Sequence, residues 1–107
     1  MYKIIIARSF EKEAKQLLKK YLSLKVELAE LGKELAQNPI IGTPLGKNCY
    51  KIRLAIKSKG KDKSGGARVI TYVITENKEV VLLSIYDKQV KPDLHANELE
   101  QLLDDFE

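Results

Sequence analysis

The sequence predicts an α+β domain with the element order βααβββα: an antiparallel sheet, an N-terminal helical hairpin and a short C-terminal helix. Two apolar stripes at helical spacing lie in the first third of the chain, and three strand-like runs follow between residues 50 and 86. The 107 residues contain no internal repeat and no low-complexity linker, which indicates a single domain over 1–107. The sheet is expected to carry its helices on one side.

The N-terminal part is predicted to hold one strand and two helices. Tyr2–Ala7 is apolar and rich in β-branched side chains, which is typical of a strand in a sheet interior. Ser9 is the expected N-cap of the first helix, and the second should run from about Ser23 to the Asn38-Pro39 stop. Their apolar faces, which should pack against each other in a hairpin, consist of Phe10, Ala14, Leu17, Leu18 and Tyr21 and of Leu24, Leu28, Leu31 and Leu35.

The middle of the chain is predicted to form a loop and then three strands. Residues 40–48 contain two glycines and a proline and are expected to be a loop. Strands are expected over Tyr50–Ile56, Ala67–Thr75 and Val80–Tyr86. A lysine- and glycine-rich segment should join the first two as a long hairpin with a mobile tip, and a short turn over Glu76–Glu79 should join the last two.

The last helix is expected to begin after Pro92. With His95 at the N-cap, Glu98 would fall at the third helical position, and Leu94 would pack on Leu99. Asp93 is a competing N-cap.

Composition excludes several classes of protein. The single cysteine, Cys49, cannot form an internal disulfide, and with His95 as the one histidine no Cys/His metal motif exists. Neither a membrane-spanning run nor a signal peptide is recognisable, so a cytoplasmic location is expected. Phosphate-binding loops, paired acids at strand ends and Ser-His-Asp sets are also missing from the sequence.

Charge is distributed unevenly along the chain. The net charge is +4, but residues 47–68 carry eight basic side chains and one acid, which leaves the rest of the chain at −3. Six acids and no lysine or arginine lie between Asp93 and Glu107. A basic middle of this kind is the electrostatic pattern of a nucleic-acid-binding protein.

Alternation within the strands gathers three of these cations. Lys51 and Arg53 should project from the polar face of one strand, and Arg68 from the same face of the next. Like charges side by side are unfavourable unless an anion joins them, which favours a phosphodiester ligand over a structural role.

Further lysines are candidates for contacts with an RNA backbone, although a lysine-rich hairpin tip is also a common solvated structure. These candidates are Lys47, Lys57, Lys59, Lys61, Lys63 and Lys88. The glycines of Ser64-Gly65-Gly66 could turn backbone N–H groups toward a phosphate or serve only the turn.

Four other side chains could take part in chemistry or simply pack. Because histidine is the residue type whose unperturbed pKa lies nearest to neutrality, His95 is a candidate acid or base as well as a candidate cap. Tyr72 and Tyr86 are interpreted as aromatic residues that pack on the sheet, and Cys49 as a small buried side chain.

The motifs resemble those of a known superfamily. CYKIRL, GGARVITYV and VVLLSIYDK are similar to the last three strands of the RelE/ParE superfamily of bacterial toxins, and the element order agrees along nearly the whole chain. NPIIGTPLGKNCYKIRL followed by KSGGARVITY resembles a RelE-type subgroup with a long loop between strands. The resemblance implies a RelE-like, microbial-ribonuclease-type fold.

The resemblance also implies an activity: ribosome-dependent cleavage of mRNA without a metal or other cofactor, by the toxin of a toxin–antitoxin pair. The implied partners are a cognate antitoxin, the ribosome and mRNA, with no membrane. By position, Lys51 and Arg53 take the places of the family's basic pair, and Arg68 that of its phosphate-stabilising arginine. Crowding by other cations favours a neutral amine, which would allow Lys51 to act as the base.

Two positions depart from the ribonuclease pattern. Gln89 and His95 occupy the places of a further arginine and of a C-terminal tyrosine. Two alternatives therefore stay open: a ParE-like poison of DNA gyrase, and a noncatalytic module that binds RNA and an antitoxin.

Overall fold

The computed structural model describes residues 1–59 and 66–106 and confirms the α+β class. The four strands expected from the sequence begin and end within two residues of their predicted bounds. The elements are β1 (Lys3–Ile6), α1 (Arg8–Lys20), α2 (Leu24–Gln37), β2 (Thr43–Gly46), β3 (Cys49–Leu54), a 3₁₀ turn (Lys57–Lys59), β4 (Ala67–Ile74), β5 (Glu79–Asp87) and α3 (Glu98–Phe106). None of the described helices is both long enough and apolar enough to cross a bilayer.

The five strands form one sheet in the order β1-β5-β4-β3-β2. Strands β2 to β5 pair antiparallel with their neighbours, as expected, whereas β1 lies parallel to β5. The prediction of an antiparallel sheet is therefore wrong for the β1–β5 pair. The α1–α2 hairpin lies between β1 and the other strands in the sequence, and β1 pairs with β5, the last strand of the chain. The sequence of β1 alone does not indicate whether that pairing is parallel or antiparallel.

Residues 40–48 are not a loop throughout, because they contain the edge strand β2. Gly46 pairs with Cys49, so only two residues connect β2 to β3. These two residues, Lys47 and Asn48, have φ angles of 55° and 62°. Two positive φ angles in a two-residue connection define a tight hairpin turn whose twist matches that of the strands. Pro44 is tolerated because β2 lies at the edge of the sheet.

Apolar side chains pack on both faces of the sheet. On one face, α1 and α2 cover strand residues that include Val69 and Val80. On the other face, α3 packs through Leu102 over a second cluster that includes Ile70 and Leu83. The expectation of helices on one side was therefore wrong for α3, because two of the inner strands carry apolar side chains on both faces and the second face also needs a cover.

Both helix-start predictions need correction. Helix α1 begins at Arg8, and Ser9 lies inside it, where its hydroxyl donates to the carbonyl of Leu83 at 2.6 Å. Ser9 thus ties α1 to β5 rather than capping the helix. Helix α3 begins at Glu98, so His95 is not at the N-cap position, although the Glu98 carboxylate does accept the backbone N–H of His95 at 2.8 Å.

Gly66 is fixed by a close backbone approach at the start of β4. A Cβ atom at this position would lie 2.1 Å from the carbonyl oxygen of Leu54, so any side chain would push β3 and β4 apart. We expect Gly66→Ala to lower the free energy of unfolding by about 1–3 kcal/mol, as overpacking does. Urea denaturation of the purified variant measures this.

Gly32 provides a matched control for that substitution. It lies inside α2, with no atom within 4 Å of the position of its missing Cβ. Gly32→Ala should therefore raise the stability by about 0.5–1 kcal/mol, because alanine favours a helix interior over glycine. Equal effects of the two substitutions would contradict the close approach at Gly66.

Candidate nucleic-acid interface

The pairing register of β3 and β4 places the three predicted cations at neighbouring positions on these two strands. Arg53 pairs directly with Arg68, and Lys51 pairs with Ile70 one row away. Arg53 is exposed and Lys51 half-buried, whereas Arg68 is only 5% exposed. One Nη atom of Arg68 donates to the carbonyl of Ala67 at 3.2 Å, which holds its guanidinium group close to the sheet.

A β-bulge adds Tyr86 to this face. Strict alternation from Val80 and Leu82 would turn Tyr86 toward α1, but the β4–β5 register shifts between Ile70 and Thr71. After the shift, Ile85 packs with the α1 cluster, and Tyr86 packs with the cluster on the opposite face. Tyr86 then lies directly opposite Arg68. The interpretation of Tyr86 as a packing residue was incomplete, because bulges re-aim side chains in a way that period-two patterns do not show.

Asp93 connects the sheet to the segment that precedes α3. Its Oδ1 atom lies 3.3 Å from Nζ of Lys51 and 3.4 Å from the hydroxyl oxygen of Tyr86, and it accepts the N–H of Leu94 at 2.8 Å. The Leu94 N–H, followed by the Lys51 ammonium, holds the pKa of the Asp93 carboxyl below its usual range. The Lys51 ammonium therefore has a carboxylate as its neighbour.

Tyr86 is a neutral hydrogen-bond donor near physiological pH. Burial first, then the nearby Asp93 carboxylate, raises the pKa of its phenol to about 12. Lys91 lies over the ring, 5.3 Å from its centroid, and its ammonium also pairs with Glu98. Tyr86 can thus stabilise an anion by donating its O–H, and it cannot serve as a general base at neutral pH.

The remaining C-terminal site candidates lie on the segment after β5. His95 and Gln89 are both exposed. Nζ of Lys88 donates to the carbonyl of Pro92 at 3.3 Å. His95 lies two residues after Asp93 in the sequence. Its role as acid or base stays a prediction.

The lysines that flank the site are spread over a wider surface. Lys47 forms an exposed ion pair with Glu100 at 3.6 Å. Lys57 is exposed, and its backbone N–H donates to the buried carboxylate of Glu27 at 2.7 Å, which anchors the start of the lysine-rich segment on α2. The predictions for Ser64, Gly65 and the side chains of Lys59, Lys61 and Lys63 fall outside the described residues, as does the prediction of a mobile tip.

Two other sequence predictions can be compared with the structure. Cys49 is buried, and burial raises the pKa of its thiol to about 11. Within residues 1–59 and 66–106, no group of three or more His, Cys, Asp and Glu side chains is arranged to hold a metal ion.

Together these features define an α+β domain with a cationic sheet face next to a tyrosine hydroxyl. The same fold occurs in E. coli RelE. A chain of the intact E. coli RelBE toxin–antitoxin complex superposes with a TM-score of 0.62 at 24% identity, over 81% of this chain and 96% of that one. An arginine-substituted variant of E. coli toxin RelE in the free state gives 0.59 at 20% identity, over 98% and 93% of the two chains.

The isolated E. coli RelE toxin superposes with a TM-score of 0.57 at 20% identity, over 97% of each chain. No protein-family model matches the sequence. The chain therefore has the RelE fold along nearly its whole length, which confirms the fold implied by the sequence resemblance.

Proposed function

We propose that this protein is the cytoplasmic toxin of a toxin–antitoxin pair and that it cleaves mRNA on the ribosome without a metal ion. The observation that carries the proposal is the row formed by Arg53, Arg68 and Tyr86 on three adjacent strands of a RelE fold, with Lys51 one row away. The likeness to a chain of the RelBE complex supports an antitoxin as the protein partner.

The reaction would proceed by attack of the RNA on itself. A base takes the proton of a ribose 2′-hydroxyl, the 2′-oxygen forms a bond to the adjacent phosphorus, and the bond from phosphorus to the 5′-oxygen breaks. An acid supplies the proton that the leaving 5′-oxygen needs. The additional negative charge develops on the phosphate oxygens, where fixed cations stabilise it most.

The cations of the sheet face supply this stabilisation in the proposal. Arg68 is held by β4 and by its own backbone contact, so little reorganisation is needed when charge develops beside it. Arg53 lies opposite and is accessible from solvent. Lys51 is the candidate base, and its Nζ atom lies 3.3 Å from the Asp93 carboxylate, which would have to move before Lys51 could reach a ribose 2′-hydroxyl.

The proton donor to the 5′-oxygen is the least defined part of the proposed site. His95 is the candidate from sequence, and it is exposed on the segment that also carries Asp93. A site with well-placed cations and no competent acid would bind RNA without cleaving it. The position of His95 outside the cluster favours this noncatalytic alternative over a gyrase poison, for which the basic face has no evident use.

Primer extension on a defined mRNA in a purified bacterial translation system tests the proposed function. Wild-type protein should produce discrete cuts only when ribosomes are present. A folded protein that makes no cuts would refute the endonuclease proposal. Inhibition of gyrase supercoiling would then support the ParE-like alternative, and salt-dependent RNA binding alone the noncatalytic one.

A further inference from the structure

One carboxylate oxygen occupies the centre of the donor set on the sheet face. Oδ1 of Asp93 is approached by an ammonium group, a phenol hydroxyl and a backbone N–H, from Lys51, Tyr86 and Leu94. This combination of a cation with neutral donors around a single oxygen is what a phosphate oxygen meets in protein sites. The two long contacts, 3.3 and 3.4 Å, leave room for an anion larger than a carboxylate oxygen.

The donors and the carboxylate differ in how firmly they are held. Lys51 is anchored on β3 and Tyr86 on β5, both inside the sheet. Asp93 belongs to the segment between β5 and α3, and 63% of its side chain is exposed. An ion pair with one solvated partner adds little to stability, so the carboxylate can leave at small cost to the fold.

Two arginines on the same face of the sheet add positive charge near the donor set. Arg68 lies opposite Tyr86 in register, and its charge acts on the Tyr86 phenol. Arg53 extends the positive row by one strand. Asp93 brings one negative charge to this location, and a phosphodiester of the same charge would meet the same donors.

We propose that Lys51 and Tyr86 form a binding site for one phosphate group of an RNA chain, and that the Asp93 carboxylate fills this site in the free protein. Asp93 is then an internal competitor of the substrate, and RNA binds by displacing it. The choice of RNA as the source of the phosphate rests on the proposed function, whereas the self-occupied anion site rests on the geometry alone.

Two isosteric substitutions separate this effect from a general change in charge. Asp93→Asn and Asp104→Asn both raise the net charge by one, but Asp104 is exposed on α3, and none of its contacts within the described residues is with the donor set. The probe is a short, fluorescently labelled 2′-O-methyl RNA, which cannot be cleaved. We expect Asp93→Asn to bind it about five- to tenfold more tightly than Asp104→Asn at the same salt concentration.

Equal affinities of the two variants, or weaker binding by Asp93→Asn, would overturn the proposal. A second substitution tests the phenol: Tyr86→Phe in the Asp93→Asn background should remove most of the gain. If the gain persists without the hydroxyl, Tyr86 is not part of the site. Because the probe is uncleavable, these results stand apart from mRNA cutting, whose failure would refute only the proposed reaction.

The wild-type protein gives a readout that does not depend on how the variants fold. The N–H of Leu94 donates to the same Asp93 oxygen, so displacement of the carboxylate must change its NMR resonance. Saturation with the 2′-O-methyl RNA should shift this resonance, and an unshifted one refutes the displacement. A parallel titration with inorganic phosphate shows whether an isolated phosphate group suffices or whether a nucleic-acid chain is required.

Discussion

Arg68→Ala is expected to lower the rate of mRNA cleavage by roughly 10²–10³-fold, the usual loss when one fixed group that stabilises a developing oxyanion is removed. Arg68 combines two properties that favour so large an effect. It is 5% exposed, so water screens its charge poorly, and it lies between Arg53 and Tyr86 in the same row. Single-turnover primer extension with the toxin in excess over mRNA-programmed ribosomes gives the rate directly.

Two comparisons make the result interpretable. Arg8→Ala removes an exposed arginine from the start of α1 and should leave the rate within about twofold of wild type. Arg68→Lys keeps the charge but loses the planar fork, so it should fall between wild type and Arg68→Ala. Thermal unfolding reports whether each variant is folded, and a folded Arg68→Ala that cuts at the wild-type rate would remove Arg68 from the mechanism.

Alternation along β3 and β4 was enough to predict the cationic face. Period two requires that Lys51 and Arg53 share a face and that Arg68 shares one with Ile70, and the observed register places these faces together. The helices were predictable for the same reason, because apolar spacing decides which side of α2 is buried. Leu24, Leu31 and Leu35 are buried and Leu28 is half-buried, as their spacing predicts, whereas Leu18 on the predicted face of α1 is 38% exposed.

The failures come from interactions that local patterns do not contain. Tyr86 reaches the site through a bulge whose position depends on how β4 and β5 align, and β1 chooses a parallel partner far along the chain. The turn at Lys47-Asn48 lacks the Asn-Gly sequence that usually signals such hairpins. Asp93 lies in the segment between β5 and α3, and it reaches the site because α3 packs on the second face of the sheet.

Ion pairs within the protein account for part of the uneven charge distribution. The acidic C-terminal segment pairs with the basic middle through Lys47–Glu100 and Lys51–Asp93, both with partners at least partly exposed. Exposed pairs of this kind contribute little to stability individually. The acidic segment is therefore complementary to the basic face without being bound tightly to it, so polyanions can compete for the same cations.

Leu102→Ala is expected to lower the free energy of unfolding by about 2–4 kcal/mol, because it leaves a cavity under α3. Leu102 is 9% exposed and belongs to the cluster that α3 forms with β3, β4 and β5. Neighbouring contacts do not replace it, since Phe106 meets Tyr72 only edge-on, with ring centroids 6.5 Å apart. Urea denaturation measures the loss, and Leu22→Ala, at a side chain that is 88% exposed, should change stability by less than about 0.5 kcal/mol.

The same substitution should expose the sheet face locally, and Cys49 reports it. Cys49 is 1% exposed and lies in the cluster that α3 covers, so a thiol reagent reacts with it only when that cluster opens. Alkylation of Cys49 in Leu102→Ala should accelerate about tenfold or more over wild type, whereas Leu22→Ala should react at the wild-type rate. The dependence on urea separates the two routes: an alkylation rate that does not change at low urea means that α3 leaves the sheet locally, whereas a rate that rises with urea as steeply as global unfolding means that α3 leaves only when the whole domain unfolds. A local opening would expose the face that carries Lys51 and Arg68 while the rest of the domain stays folded.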